Sequence, residues 1–116
     1  MKTLLSAVAI VLLLTQCSSL MSRTTVPPGK EFELGSKNGF TARVENVGTV
    51  PVTVSERQAD GRVTQLGQFK PGDQQRFDFA AQSTAVFVNA TIHPAELKIV
   101  VNNGDKNLTM KYVGKN

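Results

Sequence analysis

From Lys30 onward, apolar residues recur at every second position and are interrupted at short intervals by Gly, Pro, Asn and Asp. This two-residue period is typical of β-strands that bury one face. No stripe with the 3.6-residue helical period extends over about ten residues in this part of the chain. The pattern therefore predicts about seven to eight strands, separated by turn signals about every eight to twelve residues.

Several turns and pairings follow from local composition. Asp60 and Gly61 favour a two-residue hairpin turn with positive φ at both positions, joining strands at 52–58 and 62–66. Pro71 and Gly72 predict another turn, after which Phe77 and Phe79 share one buried face.

Further strands and turns follow from the same signals. A glycine turn at 35–39 is predicted to join a strand around 32–34 to one at 40–46, and 97–101 is expected to form a terminal hairpin with 108–112. The continuously apolar stretch at 85–90 is expected in the interior of a sheet.

These elements predict an all-β domain, a small antiparallel immunoglobulin-like β-sandwich, with a small closed β-barrel as the alternative. The turn residues at 46–48, 51–52 and 71–72 resemble those of many bacterial immunoglobulin-like adhesion and accessory modules. A fold of this kind does not by itself fix a function.

The N-terminus has a different pattern. Lys2 precedes an apolar run from Leu4 to Leu14, as in a secretory signal peptide. As a helix, this run would rise about 17 Å, well short of the roughly 30 Å hydrocarbon core of a bilayer. Residues 1–16 are therefore predicted to be a cleaved signal peptide.

Leu14, Thr15, Gln16 and Cys17 resemble the lipobox of bacterial lipoproteins. The resemblance implies that Cys17 is lipidated and becomes the first mature residue, and several acyl chains make a stable membrane anchor. Gln16 stands where that family usually has Gly, Ala or Ser. The alternative is an ordinary secretory peptide that is cleaved nearby, with Cys17 discarded or left as a free thiol.

Residues 17–29 are predicted to be the lipidated N-terminus and a tether, since 18–29 is small and polar and ends in Pro27, Pro28 and Gly29. Residues 30–116 then form the sandwich domain. Ser18 follows the anchor, where the lipoprotein family uses aspartate for retention in the inner membrane. The resemblance therefore implies a lipid-anchored protein of the bacterial cell envelope, at the outer membrane.

The charge balance limits the partners. The chain has 13 basic and 9 acidic residues, and removal of Lys2 with the signal peptide leaves 12 against 9, a formal net charge of +3. This charge suits weak association with anionic lipid or polysaccharide surfaces, but it lacks the clustered basic footprint of a nucleic-acid binder. The single cysteine excludes an intrachain disulfide.

Catalytic and metal chemistry find little support in the sequence. His93 is the only histidine, so no metal site and no cofactor are predicted. Ser83 or Thr84 with His93 and Asp78 would supply the residue types of a hydrolase, but no nucleophile motif accompanies them. The protein is expected not to be an enzyme.

Two groups of charged residues are candidate partner contacts. Lys98, Lys106 and Lys111 are predicted on the outward face of the terminal hairpin, where lipid phosphates or another polyanion would dock, unless they only protect a sheet edge from aggregation. Arg57, Asp60 and Arg62 surround the predicted hairpin tip. Solvated turn charges are the alternative interpretation.

The resulting hypothesis is a non-catalytic, membrane-anchored envelope lipoprotein that acts as a binding or assembly module for an envelope protein or a cell-wall glycan. The alternative is an inhibitor of a cell-wall-degrading enzyme such as lysozyme, which would present the hairpin tip. The oligomeric state does not follow from the sequence.

Overall fold

The structure, a computed structural model, describes residues 19–102 and 109–114. These residues form strands and connecting loops, and among them is no helix long and apolar enough to cross a membrane. The strands are β1 (Ser19–Val26), β2 (Lys30–Gly35), β3 (Phe40–Asn46), β4 (Val52–Arg57), β5 (Val63–Phe69), β6 (Gln74–Phe79), β7 (Thr84–Val88), β8 (Ala95–Asn102) and β9 (Thr109–Gly114).

The strands pair as a long antiparallel ribbon that is folded back on itself. The first strand pairs with the eighth, the second with the seventh, the third with the sixth and the fourth with the fifth. The ribbon rolls into two sheets, which we call sheet A, in the order β1-β8-β3-β6, and sheet B, in the order β5-β4-β7-β2-β9. This strand order is that of a jelly roll with a ninth strand added beside β2.

The predicted all-β sandwich is confirmed, and the described strands form two open sheets rather than one closed barrel. The immunoglobulin-like topology is not confirmed. In that topology the first two strands lie side by side in one sheet, whereas here β1 and β2 lie in different sheets. Turn signals determine where strands begin and end, but they do not determine which strands pair.

The strands on either side of the glycine turn at 35–39 form as predicted, but the predicted terminal hairpin is wrong. Residues 36–39 carry the chain from β2 in sheet B to β3 in sheet A, and β8 and β9 also lie in different sheets. Each of these strands instead pairs with a strand that is distant in the sequence. The 85–90 prediction is confirmed, since β7 lies inside sheet B between β4 and β2.

The hairpin between β4 and β5 is confirmed, but its turn differs from the prediction. The amide of Gly61 donates to the carbonyl of Gln58 at 2.9 Å, and the amide of Gln58 donates to the carbonyl of Arg62 at 2.8 Å. Among the residues of this turn, only Gly61 has a positive φ, of 91°. This is the arrangement of a three-residue loop in which the last residue forms a bulge, so Asp60 does not need the left-handed conformation.

The turn at 71–72 forms as predicted. Gly72 has φ of 90°, and the amide of Asp73 donates to the carbonyl of Lys70 at 2.9 Å. Pro in the second position and a left-handed glycine in the third are the requirements of a type II turn.

The core lies between the two sheets and is built from the inward residues of each strand. Phe77 and Phe79 face inward together, as predicted, and their ring centroids lie 6.0 Å apart. Phe40 stacks on Phe79 at 4.9 Å, and Phe69 lies 5.4 Å from Phe77. Phe87 of sheet B is fully buried. Phenylalanines at strand spacing thus fill the core and are not available as a stacking surface.

The sandwich begins earlier in the chain than the sequence predicts. Residues 19–26, which the sequence pattern assigns to a tether, form β1 and pair with β8 along their whole length, from Ser19 opposite Asn102 to Val26 opposite Ala95. Val26 is fully buried and Thr24 nearly so. Residues 1–18, including the predicted signal peptide and Cys17, lie outside the described residues, as does Lys106.

The loop between β2 and β3 depends on Gly39. Its φ is 80°, and a Cβ placed there would lie 2.8 Å from the carbonyl oxygen of Phe79. Gly29 has a similar φ of 70° with no atom within 4 Å of such a Cβ. Both glycines therefore favour a left-handed backbone, but only Gly39 is also closely packed.

We expect Gly39→Ala to lower the free energy of unfolding by roughly 2 to 3 kcal/mol, because it adds a clash to the backbone strain. The matched change Gly29→Ala should cost about 1 kcal/mol, from the backbone strain alone. Urea denaturation of both variants measures the difference, and equal costs would contradict the close packing at Gly39.

Candidate functional site

The structure gives Arg57 a structural role. Its Nη1 and Nη2 donate to Oε2 and Oε1 of Glu33 at 3.1 and 2.8 Å, which makes a two-pronged ion pair. The side chain of Glu33 is only 7% exposed, against 38% for that of Arg57. The hydrogen bond to Glu33 raises the pKa of Arg57 above its ordinary value. Arg57 therefore neutralises a buried carboxylate and is less available to a partner than the sequence predicts.

Asp60 and Arg62 are engaged with each other at the tip of the β4–β5 hairpin. The carboxylate of Asp60 accepts from the backbone amide of Arg62 at 3.0 Å and from its Nε at 2.9 Å. Both side chains are exposed. This pair stabilises the turn and adds little to stability as a surface ion pair.

The strands that carry Lys98 and Lys111 lie in different sheets. Lys98 lies on the outer face of β8 in sheet A, while the backbone of Lys111 lies in β9 of sheet B, opposite Glu33. Lys106 falls between the described ranges. Since β8 and β9 do not form a hairpin, the reason for grouping Lys98 with Lys111 is lost.

Lys98 instead belongs to a band of cations that crosses the outer face of sheet A. Each of its four strands contributes one outward, solvent-accessible cation: Arg23 from β1, Lys98 from β8, Arg43 from β3 and Arg76 from β6. Arg23 lies opposite Lys98, and Arg43 opposite Arg76. We call these four residues the cationic band. Four strands at about 4.8 Å spacing spread the charges over roughly 14 Å.

Three carboxylates share the outer face of sheet A with the cationic band, namely Glu45, Glu96 and Asp78. Within the described residues, Arg23, Arg43 and Lys98 form no ion pair within 4.0 Å. The Nε of Arg76 lies 3.9 Å from Asp78, whose carboxylate also accepts from the hydroxyl of Thr41 at 2.8 Å. Like charges directly opposite each other, as at Arg43 and Arg76, destabilise a sheet. Fold stability therefore does not explain why they face each other.

A shallow cleft of about 250 Å³ runs along part of the band, lined by Met21, Arg43, Glu45, Gln74, Lys98 and Val100. Met21 is 65% exposed and lies opposite Val100, which itself lies opposite Arg43. The outer face of sheet A thus combines exposed apolar groups at the edge strand with cations across the sheet. The outward position of Arg43 follows from strand alternation, but its neighbours depend on pairing register, so sequence reasoning missed the band.

The loop between β7 and β8 lies at the end of the sandwich opposite to the start of β1, and hydrogen bonds of Asn89 tie it to the neighbouring backbone. The amide nitrogen of the fully buried Asn89 donates to the carbonyls of Val26 and His93 at 2.9 and 2.7 Å. Its oxygen accepts from the backbone and hydroxyl of Thr91 at 3.0 and 2.7 Å. This framework holds Ile92 with 84% of its surface exposed.

Asn46 has the same role in the neighbouring loops. Its side-chain nitrogen donates to the carbonyls of Val50 and Phe69 at 2.8 and 3.0 Å, and its oxygen accepts from the amide of Gly48 at 3.0 Å. Two buried asparagines thus connect the loops at this end. We call it the distal end, because it is far from Ser19. An apolar side chain on a preorganised loop is suited to protein contact.

The hydrolase constellation that the sequence offers is not assembled. Ser83 precedes β7 and His93 follows it, so they lie at opposite ends of the sandwich. Ser83 donates to the carboxylate of Glu56 at 2.8 Å, while Asp78 faces outward on sheet A. In the described part of the chain, no group of three or more His, Cys, Asp or Glu side chains is placed to hold a metal ion.

The comparisons with known proteins identify a fold. No protein family model matches the chain, and no curated protein matches it. The chain is similar to the Cupin_2 domain of an XRE family transcriptional regulator from Enterobacter cloacae, with TM-score 0.57 and 13% identity, covering 78% of this chain and 87% of that one. It is also similar to an uncharacterized double-stranded β-helix protein from Klebsiella pneumoniae, with TM-score 0.53 and 18% identity, over 85% and 77% of the two chains.

A third similar structure is an oxalate oxidase, with TM-score 0.56 and 11% identity, over 78% of this chain and 45% of that one. This likeness contradicts the expectation that the protein is not an enzyme, because the same fold carries an enzyme. The absence of familiar motifs from a small all-β domain was therefore not sufficient to exclude catalysis. At such low identity the likeness shows the fold alone and assigns no reaction.

The ion pair between Arg57 and Glu33 leads to a stability prediction. We expect Arg57→Met to lower the free energy of unfolding by roughly 1 to 3 kcal/mol, because it removes the two charge-assisted hydrogen bonds that Arg57 donates to the nearly buried carboxylate of Glu33. The control Arg62→Met removes the exposed partner of Asp60 and should change the free energy of unfolding by less than about 0.5 kcal/mol. Urea denaturation at neutral pH compares the two, and equal effects would contradict the structural role of Arg57.

Proposed function

We propose that the protein is an envelope lipoprotein, anchored by acyl chains on Cys17, and that its sandwich is a binding or assembly module for another envelope protein or a cell-wall glycan. The lipobox resemblance at 14–17 motivates the anchor, and Ser18 favours the outer membrane by the same resemblance. One structural observation supports this proposal above the others: β1 begins at Ser19, two residues after Cys17.

That short connection would hold the sandwich directly at the bilayer surface. Two residues span at most about 7 Å, compared with the roughly 40 Å of the tether that the sequence pattern suggests. The loops at 36–39 and 80–83 and the β4–β5 tip lie at the same end as Ser19, since Thr41 pairs with Asn102 and Thr84 pairs with both Gly35 and Arg57. The distal end would point away from the anchor, toward partners.

An inhibitor of a cell-wall-degrading enzyme is the second candidate, and it receives less support. The β4–β5 tip that would occlude the enzyme lies at the end of the sandwich that holds Ser19, which we call the anchored end. In addition, Arg57, Asp60 and Arg62 are already engaged within the protein. Lysozyme turnover in the presence of excess protein tests this candidate directly. Unchanged turnover removes it.

Cys17→Ser should abolish fatty-acid labelling and move the protein from the membrane fraction to the soluble fraction, because it removes the thiol that carries the acyl chains. Ser18→Ala is the matched control and should leave both readouts unchanged. Metabolic labelling with a fatty acid and membrane fractionation make the comparison. Labelling that persists in Cys17→Ser would contradict the proposed anchor.

The distal end should contact the partner in intact cells. A photoreactive amino acid in place of Ile92 is expected to yield a specific crosslinked product that disappears in the Cys17→Ser background. The same residue in place of Ala59, at the anchored end, should not yield it. The same product from both positions, or its persistence without the anchor, would contradict this orientation.

A further inference from the structure

We infer that the outer face of sheet A binds the surface of an anionic lipid bilayer, with the cationic band at the phosphate headgroups and Met21 at the boundary with the acyl chains. This inference rests on the proposed anchoring, because the anchor is what brings this face to the membrane. It assigns to the cationic band a role that the fold itself does not require.

The position of the face relative to the anchor supports the inference. Met21 and Arg23 lie four and six residues after Cys17, so a fully extended chain places them at most about 14 and 21 Å from it. Both lie on β1, the edge strand of sheet A. A face that begins at the anchored edge is the first broad surface to meet the bilayer when the sandwich tilts.

The chemistry of the face matches a headgroup layer. Each strand of sheet A contributes one cation, and two of the cations, Arg43 and Arg76, lie opposite each other, at a cost that a layer of phosphates would offset. Met21 and the partly exposed Val100 supply apolar surface beside them. A cationic patch next to an acyl anchor is a known second determinant of membrane attachment.

A flat layer of anions suits this face better than one small anion does. The four cations are spread over roughly 14 Å and do not converge on one point. No aromatic side chain stands on the outer face of sheet A in the described strands, because the phenylalanines of β3 and β6 face the core. Recognition by distributed charge is therefore favoured over stacking against a sugar or a base.

The orientation has a consequence for the proposed module. With sheet A on the bilayer, the outer face of sheet B and the distal loop with Ile92 remain accessible. Three carboxylates on the same face oppose the interaction: Glu45, which lies opposite Lys98, Glu96 and Asp78. With the four cations they leave this face a net charge of only +1. The contact is thus weak and sets orientation, while the acyl chains provide the attachment.

The test uses the full mature chain with Cys17→Ser, which removes the anchor and the only cysteine. We expect this protein to sediment with vesicles of 30% phosphatidylglycerol in phosphatidylcholine, and not with phosphatidylcholine alone, and to be released by 0.5 M NaCl. Arg43→Gln with Lys98→Gln should weaken the partition coefficient about tenfold. The control Lys30→Gln with Lys70→Gln removes the same amount of charge outside sheet A. It should change the partition coefficient by less than about twofold.

A second readout identifies the face in contact. Met21→Cys and Val63→Cys, in the Cys17→Ser background, each provide one labelling site with similar exposure, 65% and 61%, the first on sheet A and the second on sheet B. An environment-sensitive dye at position 21 should shift to the blue on anionic vesicles, and one at position 63 should not.

Binding that is equal for both vesicle types, equal losses in the two double variants, equal dye shifts or the absence of binding would each overturn the inference. Thermal unfolding of every variant checks that a loss of vesicle binding is not caused by a loss of folding. Fatty-acid labelling of the native chain separately tests the anchor. If the native chain is labelled but the Cys17→Ser chain does not bind anionic vesicles, only the inference about the outer face of sheet A is refuted. If the Cys17→Ser chain binds vesicles but the native chain is not labelled, the proposed anchor is refuted.

Discussion

The antiparallel pairing of β1 with β8 connects the proposed anchor to the sandwich, and the other features of the molecule depend on it. The pairing runs from Ser19 opposite Asn102 to Val26 opposite Ala95, and it places Val26 in the core. It covers one edge of β8 and completes sheet A. It also brings Arg23 beside Lys98, so that the cationic band begins at the edge strand. Without this pairing, the chain after Cys17 would be a tether and the outer face of sheet A would lose one of its four cations.

Local features of the fold could be predicted because they depend on residues close together in the sequence. The turn at Pro71 and Gly72, the shared buried face of Phe77 and Phe79 and the interior position of β7 all follow from alternation and turn chemistry. The pairing of strands could not be predicted in this way. A jelly roll pairs strands that are far apart in the sequence, and nothing local in residues 19–26 shows that their partner lies at 95–102.

The candidate site follows the same division. Alternation shows that Arg43 faces outward, but only the register shows that it stands opposite Arg76 and near Lys98. The sequence grouped Lys98 with Lys111 through a hairpin that does not form. The sequence places Arg57 with the tip of the β4–β5 hairpin, but its guanidinium forms an ion pair with the buried carboxylate of Glu33. Exposed charge is therefore a useful signal here only after the partners of each charge are known. The fold itself leaves the chemistry open, since a similar sandwich carries an oxalate oxidase.

The most direct test of this account compares two forms of the domain, residues 19–116 and residues 30–116, by urea denaturation monitored with circular dichroism. If β1 is part of the sandwich, the longer chain unfolds cooperatively, and the shorter one loses the transition or shifts it to much lower urea, because an edge of β8 and the contacts of Val26 are exposed. The same midpoint and slope for both chains would contradict the account, because residues 19–29 would then be a tether and the sandwich would begin at Lys30.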